Sequence, residues 1–135
     1  MKTILLLEDD PSVMGIFRAV LKGASHTLIE ATSAQAAVAC GGIGHIDLLI
    51  ADVTPPCSGI HIAFQLRAWM PHLKIILTSG LPPDMWDEQQ SAELSELPSD
   101  SVRVLQKPFL PKGLLRTVSD LVGPPSKMPE SSSLN

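Results

Sequence analysis

Short aliphatic runs alternate along the chain with segments whose apolar positions repeat every three or four residues. The aliphatic runs predict strands over residues 4–7, 26–30, 46–51, 73–78 and 102–106. The first and third runs are almost continuously apolar, which is typical of strands covered on both faces of a sheet. The second run is the weakest strand signal of the five.

Helices are predicted between the strands and after the last one. The first is the clearest, because Asp10 can cap it, Pro11 suits its first position and Gly23 can end it. Its apolar positions follow the helical repeat: Val13, Ile16, Phe17, Val20 and Leu21. Further helices are predicted from the cap Ser33 to residue 40, over 60–70, over 84–97 as a polar exposed segment, and around 114–122.

Five strand–helix units in succession imply right-handed crossovers and a parallel sheet. The pattern predicts an α/β fold: a doubly wound, five-stranded parallel sheet with strand order 2-1-3-4-5, flavodoxin-like (βα)5. One domain is expected over residues 1–122. A disordered tail is expected over residues 123–135, where proline, serine and single charges dominate.

Composition narrows the class of protein. The chain has a net charge of −4, which does not suggest the basic surface that a nucleic-acid binder needs. We therefore expect no nucleic-acid binding by this chain itself. No apolar run approaches the roughly 18–20 residues that cross a bilayer, which favours a cytoplasmic protein without membrane contact. Cys40 and Cys57 have no CxxC spacing, so they are expected to be ordinary reduced thiols.

Polar residues follow four of the predicted strands. They are Asp9 and Asp10 after the first strand, Asp52 after the third, Thr78 at the end of the fourth and Lys107 after the fifth. In this fold ligands bind beyond the carboxyl ends of the strands, so these side chains should converge. Crowded carboxylates favour a divalent cation, since two charges about 4 Å apart repel by roughly 4 kcal/mol at an effective dielectric of about 20. The set suits Mg²⁺-assisted phosphoryl transfer onto a carboxylate.

Four segments in this order resemble the receiver (response regulator) domains of two-component systems. The segments are Leu7-Glu8-Asp9-Asp10, Leu48-Leu49-Ile50-Ala51-Asp52-Val53, Ile75-Ile76-Leu77-Thr78-Ser79-Gly80 and Lys107-Pro108-Phe109. The resemblance extends over residues 2–122. It implies a phosphoprotein of phosphorelay signal transduction that signals by changing shape.

The resemblance also assigns roles. It implies that Asp9, Asp10 and Asp52 bind Mg²⁺ together with the backbone carbonyl of Thr54. Asp52 would accept the phosphoryl group from a sensor histidine kinase or a phosphotransfer protein, for an unknown downstream protein target. Thr78 and Lys107 would contact the phosphoryl group, and the Lys107–Pro108 peptide bond is expected to be cis. Such a domain is not a classical enzyme, although it assists its own Mg²⁺-dependent phosphorylation and dephosphorylation.

Three features depart from the family pattern. Val104 stands where the family usually carries an aromatic residue three positions before the lysine, and the chain has no tyrosine. The loop 52–59 is one residue shorter than usual and contains Pro55-Pro56. The segment between Thr78 and Lys107 is longer than usual, which indicates a different output face.

Several alternatives stay open at this point. The main functional alternative is a pseudo-receiver that docks partners without phosphorylation. The chain could also form a weak homodimer, and it could be a single-domain regulator or a piece of a longer protein. A Mg²⁺ phosphohydrolase is disfavoured because Thr54 replaces its second acid, and a flavodoxin because acids occupy the first loop. Trp69 is expected to pack in the core or at a helix end, and Trp86 either to pack or to face a partner.

Overall fold

The computed structural model describes residues 2–42 and 44–124 of the chain. Its strands are β1 (Thr3–Leu7), β2 (Thr27–Ala31), β3 (Leu48–Asp52), β4 (Lys74–Ser79) and β5 (Val102–Gln106). They form one sheet in the order β2-β1-β3-β4-β5 with every neighbouring pair parallel, so the predicted fold class and strand order are confirmed. Most of the predicted tail, from residue 125 onward, lies outside the described residues.

Helices cover both faces of this sheet. They are α1 (Pro11–Gly23), α2 (Ala34–Gly41), α3 (Gly59–Trp69), α4 (Glu88–Glu96) and α5 (Pro111–Val122). One apolar cluster lies between the sheet and α2, α3 and α4, and a second between the sheet and α1 and α5. The central strand β3 is buried along its whole length, as its continuous apolar run predicts. No helix of the described part is both long enough and apolar enough to span a membrane.

Helix α1 begins as its sequence predicts. The Asp10 carboxylate accepts a hydrogen bond from the backbone N–H of Ser12 at 2.8 Å, and Pro11 occupies the first helical position. This cap satisfies one of the backbone donors that a helix leaves unpaired at its start. The Asp10 side chain is thereby held at the start of α1.

The segment between β4 and β5 differs from the single helix predicted over 84–97. A 3₁₀ turn, Pro83–Met85, comes first, and α4 starts only at Glu88. Asp87 and Gln90 form a reciprocal capping box that fixes this start. Before it, the buried Trp86 indole N–H donates to both the Ser79 hydroxyl at 3.2 Å and the Leu81 carbonyl at 3.1 Å.

The two tryptophans therefore behave differently. Trp86 packs inside the molecule, so its alternative role as a partner-facing residue is not realised in this structure. Trp69 is the last residue of α3, one of its two predicted places, and its side chain is 56% exposed, so it does not pack in the core.

Candidate functional site

Asp52 is the last residue of β3 and its carboxylate is buried at the carboxyl edge of the sheet. One carboxylate oxygen, Oδ1, accepts the backbone N–H of Thr54 at 3.0 Å. The other, Oδ2, lies 3.3 Å from the Lys107 ammonium, although the two residues are 55 positions apart in the chain. The predicted convergence of Asp52 and Lys107 is therefore present in the structure.

Lys107 enters the site from the loop that follows β5. Its backbone N–H donates to the Ser79 carbonyl at 2.7 Å, which ties the loop to β4. The Lys107–Pro108 peptide bond is cis, as predicted. The ammonium makes its shorter contact with Glu8, at 2.7 Å from Oε1, so it bridges two carboxylates.

Glu8 is a site residue that the sequence reasoning did not assign. Side chains of a strand alternate between the two faces of the sheet, and Ile4 and Leu6 belong to the apolar cluster beneath α1 and α5. Glu8 continues this alternation just beyond β1 and is 1% exposed. Since Leu7 pairs with Ala51, the same register places Glu8 beside Asp52.

The charges of the site shift the pKa values of Glu8 and Lys107. Burial raises the pKa of Glu8 above its usual range, and repulsion by Asp52 adds to this, while the contact with Lys107 partly offsets it. Burial alone would lower the pKa of Lys107, but the hydrogen bond to Glu8 and the charges of Asp52 and Glu8 outweigh burial and raise it. Lys107 is therefore a permanent cation of this site.

Asp9 and Cys57 lie close to Asp52. One ligand atom each from Asp9, Asp52 and Cys57 lie within 4.8 Å of one another, and Asp9 is exposed while the other two are buried. Burial raises the pKa of the Cys57 thiol to about 11, and the nearby charges of Asp9, Asp52 and Glu8 contribute. A backbone hydrogen bond from Asp9 to this thiol acts in the opposite direction.

The structure does not bring Asp10 into this group. Within the described residues, the cluster of three possible metal ligands contains Asp9, Asp52 and Cys57 and leaves Asp10 out. Asp10 is one residue too far along the chain, where it caps α1 through Ser12. Its expected role as a Mg²⁺ ligand therefore stays a prediction, whereas Glu8 is the acid that the strand register places beside Asp52.

The Thr54 carbonyl, expected to face the metal, takes part in the turn that leads into α3. It accepts backbone N–H groups from Cys57 at 3.0 Å and from Ser58 at 3.4 Å. The short loop makes this turn, because Gly59 must pack directly against the end of β3. A Cβ added at Gly59 would lie 2.6 Å from the Asp52 carbonyl oxygen.

Thr78 lies where the sequence predicts it. Its Cα pairs with that of Asp52 across β3 and β4, and paired residues of parallel strands present their side chains on the same face. The side chain is 1% exposed. Its hydroxyl finds no hydrogen-bond partner among the described residues, which is uncommon for a buried polar group.

An apolar surface borders the Lys107 side of the site. A cleft of about 260 Å³ is lined by Val13, Ile16, Lys107, Pro108 and Phe109. Phe109 stacks on Phe17 with ring centroids 5.2 Å apart, which fixes this loop against α1. Ile16 is 47% exposed and Leu110 is 74% exposed. We call this surface, Val13, Ile16 and 107–110, the α1–β5 patch.

Solved structures resemble this fold over nearly its whole length. Chemotaxis protein CheY4 of Vibrio cholerae has a TM-score of 0.77 at 21% identity, covering 90% of this chain and 99% of that chain. A CheY-like receiver domain protein from Methanospirillum hungatei has a TM-score of 0.77 at 20% identity, covering 89% of this chain and 92% of that one.

The response regulator TrrA of Thermotoga maritima, solved in complex with Mg²⁺ and beryllofluoride, has a TM-score of 0.72 at 26% identity, covering 90% of this chain and 100% of that chain. No family model matches the chain, and no curated protein matches it in sequence. The likeness is thus carried by structure while sequence identity is low. The chain has the fold of the CheY-like response regulator receiver domains.

Proposed function

We propose that this chain is a phosphoacceptor receiver domain of a two-component system, and that residues 2–122 carry this function. Asp52 accepts the phosphoryl group from a histidine kinase or a phosphotransfer protein. The observation that carries the proposal is the buried Asp52 carboxylate with the Lys107 ammonium 3.3 Å away. The fold supports a signalling domain rather than a classical enzyme.

The proposed step is a transfer between two protein side chains. A carboxylate oxygen of Asp52 attacks the phosphorus of a phosphohistidine, and the P–N bond breaks. The imidazole nitrogen keeps the electron pair and takes up a proton. Lys107 already contacts Oδ2 of Asp52 and can hold a phosphoryl oxygen, while the unpartnered Thr78 hydroxyl can donate to another.

The charges of the site fit a divalent cation. Three carboxylates lie at one edge of the sheet, those of Glu8, Asp9 and Asp52. The Lys107 ammonium contacts those of Glu8 and Asp52. Asp9 and Asp52 would hold Mg²⁺, which when bound supplies charge neutralisation for the transferred group. Glu8 would keep Lys107 oriented, since its two oxygens bind the ammonium and the backbone N–H of Asp10.

The α1–β5 patch is the proposed docking surface for the phosphodonor. Any donor has to bring its phosphoryl group to Asp52, so it must cover the mouth of the site beside Lys107. The patch forms that border, and its exposed Ile16 and Leu110 give a partner apolar area to bury. A histidine-bearing helix with an apolar face would fit it, and the downstream target is left unassigned.

Incubation with acetyl phosphate and Mg²⁺ tests the proposal. Intact-protein mass spectrometry should show one added phosphoryl group, which Asp52→Asn abolishes and which the exposed Asp120→Asn on α5 leaves unchanged. The rival function is a pseudo-receiver that binds partners without phosphorylation, favoured by Val104 at the position usually held by an aromatic residue. Absence of incorporation in the wild-type protein would establish that rival over the present proposal.

A further inference from the structure

Helices α2 and α3 differ from the other three helices in charge. The 8 residues of α2 include no charged residue, and the 11 residues of α3 include one, Arg67. The Arg67 guanidinium donates to the carbonyls of Pro71 and Leu73 and to the Ser101 hydroxyl, at the far end of α3. By contrast, α1, α4 and α5 all expose charged side chains, among them Arg18, Lys22, Glu88, Glu96, Lys112 and Arg116.

A groove of about 490 Å³ runs between these two uncharged helices. Aliphatic, amide and imidazole side chains line it, among them Gln35, Val38, Ala39, His61, Ile62 and Gln65. His61, Gln65 and Trp69 follow one another at steps of four residues, so they share one stripe of α3. We call the surface formed by Gln35, Val38, Ala39, His61, Gln65 and Trp69 the α2–α3 face.

The α2–α3 face has the composition of a protein–protein interface. Interface cores are depleted of charged residues and enriched in aromatic ones, and tryptophan often contributes much of the binding energy. Trp69, the last residue of α3, is exposed here. A carboxylate lies at the border of the face, where the Glu93 side chain of α4 approaches the His61 imidazole at 3.7 Å. Charge at the border with an uncharged centre is the usual arrangement of core and rim.

The distribution of charge also indicates which partner fits. In a two-fold symmetric dimer the same surface contacts its own copy, so a charged side chain near the axis is repelled by itself. The α2–α3 face avoids this repulsion, whereas the exposed charges of α1, α4 and α5 would meet their own copies. The side-chain amides of Gln35 and Gln65 can both donate and accept, so each can pair with an identical group. A nucleic acid or a highly charged peptide would find no complementary charge on this face.

We propose that two copies of this chain associate through the α2–α3 face around a two-fold axis. Trp69 of each copy packs against the facing helices and becomes buried. Helices α2 and α3 lie on the opposite side of the sheet from α1 and α5, so the α1–β5 patch stays accessible in the dimer. The inference therefore stands apart from the proposed phosphoacceptor function, and either can fail without the other.

Sedimentation velocity from micromolar to millimolar protein tests the proposal. The weight-average mass of the wild-type protein should rise with concentration and level off at twice the monomer mass. Gln65→Glu adds one charge to the face at almost unchanged size, and it should weaken the dimer by about tenfold or more. The matched control is Gln89→Glu on α4, which makes the same change at another exposed glutamine and should leave dimerisation unchanged.

A charge-reversal experiment then shows whether the two copies meet at this face. Gln65→Glu and Gln65→Lys should each be largely monomeric alone, and an equimolar mixture of them should recover the dimer. Ala39→Glu provides the same test on α2, where the alanine is exposed, and its unchanged thermal unfolding in dilute solution would show that it is folded.

Three results would overturn the proposal. One is a wild-type protein that stays monomeric up to millimolar concentration, which would leave the face to a different apolar partner. Another is a mass that keeps rising beyond the dimer, since a two-fold contact closes at two copies. The third is a dimer that both Gln65→Glu and Ala39→Glu leave intact.

Discussion

Replacing Thr78 by valine should stabilise the fold while it impairs the site. The Thr78 hydroxyl is buried and unpartnered within the described part of the chain. Such a group costs about 1–3 kcal/mol in proteins, and valine has nearly the same shape without it. The added methyl group contributes up to about 0.8 kcal/mol of apolar burial. Allowing for imperfect packing, we expect Thr78→Val to raise the free energy of unfolding by about 1–2 kcal/mol.

The neighbouring hydroxyl provides the matched control. Ser79 accepts the backbone N–H of Leu81 at 3.0 Å and the indole N–H of Trp86 at 3.2 Å. Ser79→Ala removes a satisfied acceptor, so we expect it to lower the free energy of unfolding by about 1–2 kcal/mol. Urea unfolding of both variants at equal m-values measures the difference. Equal destabilisation by the two substitutions would mean that the Thr78 hydroxyl is satisfied in the folded protein, contrary to the prediction.

Further predictions concern glycine packing, the pH dependence of stability and the hydrogen bonds of the Arg67 side chain. Gly59→Ala should destabilise the fold by about 1–3 kcal/mol in urea unfolding, because its Cβ would meet the Asp52 backbone. The control Gly15→Ala, in open space within α1, should stabilise the fold by up to about 1 kcal/mol. Equal changes in the free energy of unfolding for the two variants would contradict this. Burial lowers the pKa of His26 below 6.5, so the unfolded chain binds more protons and stability falls as the pH drops below 6.5 towards the lower folded pKa. His26→Leu should reduce that loss in urea midpoints compared from pH 7 to pH 5, and an unchanged pH profile would exclude His26 as its source. Arg67→Met should lower the free energy of unfolding by about 1–3 kcal/mol, measured by thermal or urea unfolding. The reason is that the Arg67 guanidinium donates to two backbone carbonyls and to the Ser101 hydroxyl. An unchanged stability would show that water replaces these hydrogen bonds.

The fold was predictable because local and global signals agree. The aliphatic runs of β1 and β3, together with the Asp10–Pro11 start of α1, fix the alternation of strands and helices on which the parallel topology depends. The segment between β4 and β5 was less predictable, because the turn before α4 is held by the Trp86 indole, which contacts the Ser79 hydroxyl. That contact is a tertiary interaction that no local pattern reveals.

The sequence predicts the pair Asp52 and Lys107, which are distant in the chain, but leaves the roles of the consecutive acids Glu8, Asp9 and Asp10 ambiguous. Strand order alone brings Asp52 and Lys107 together. Three consecutive acids, however, can be assigned only if the face of each is known. The alternation of Ile4 and Leu6 indicates Glu8, and the cap signature of Asp10 already assigns that residue to α1. These two signals together favour Glu8 and Asp9 as the acids of the site.

Cys57 could not be assigned from the sequence. Its position depends on the path of the loop between Asp52 and Gly59, which is set by the close packing of Gly59 against β3. Loop paths of this kind follow from tertiary contact rather than from residue spacing.

A crystal structure of the protein with Mg²⁺ and beryllofluoride would test whether Asp52 is the phosphoacceptor. We expect beryllium bonded to an Asp52 carboxylate oxygen, with Mg²⁺ about 2.1 Å from oxygens of Asp9 and Asp52. Fluorines should contact the Thr78 hydroxyl and the Lys107 ammonium. An adduct on another carboxylate, or one that leaves Thr78 and Lys107 without contact to fluorine, would contradict it.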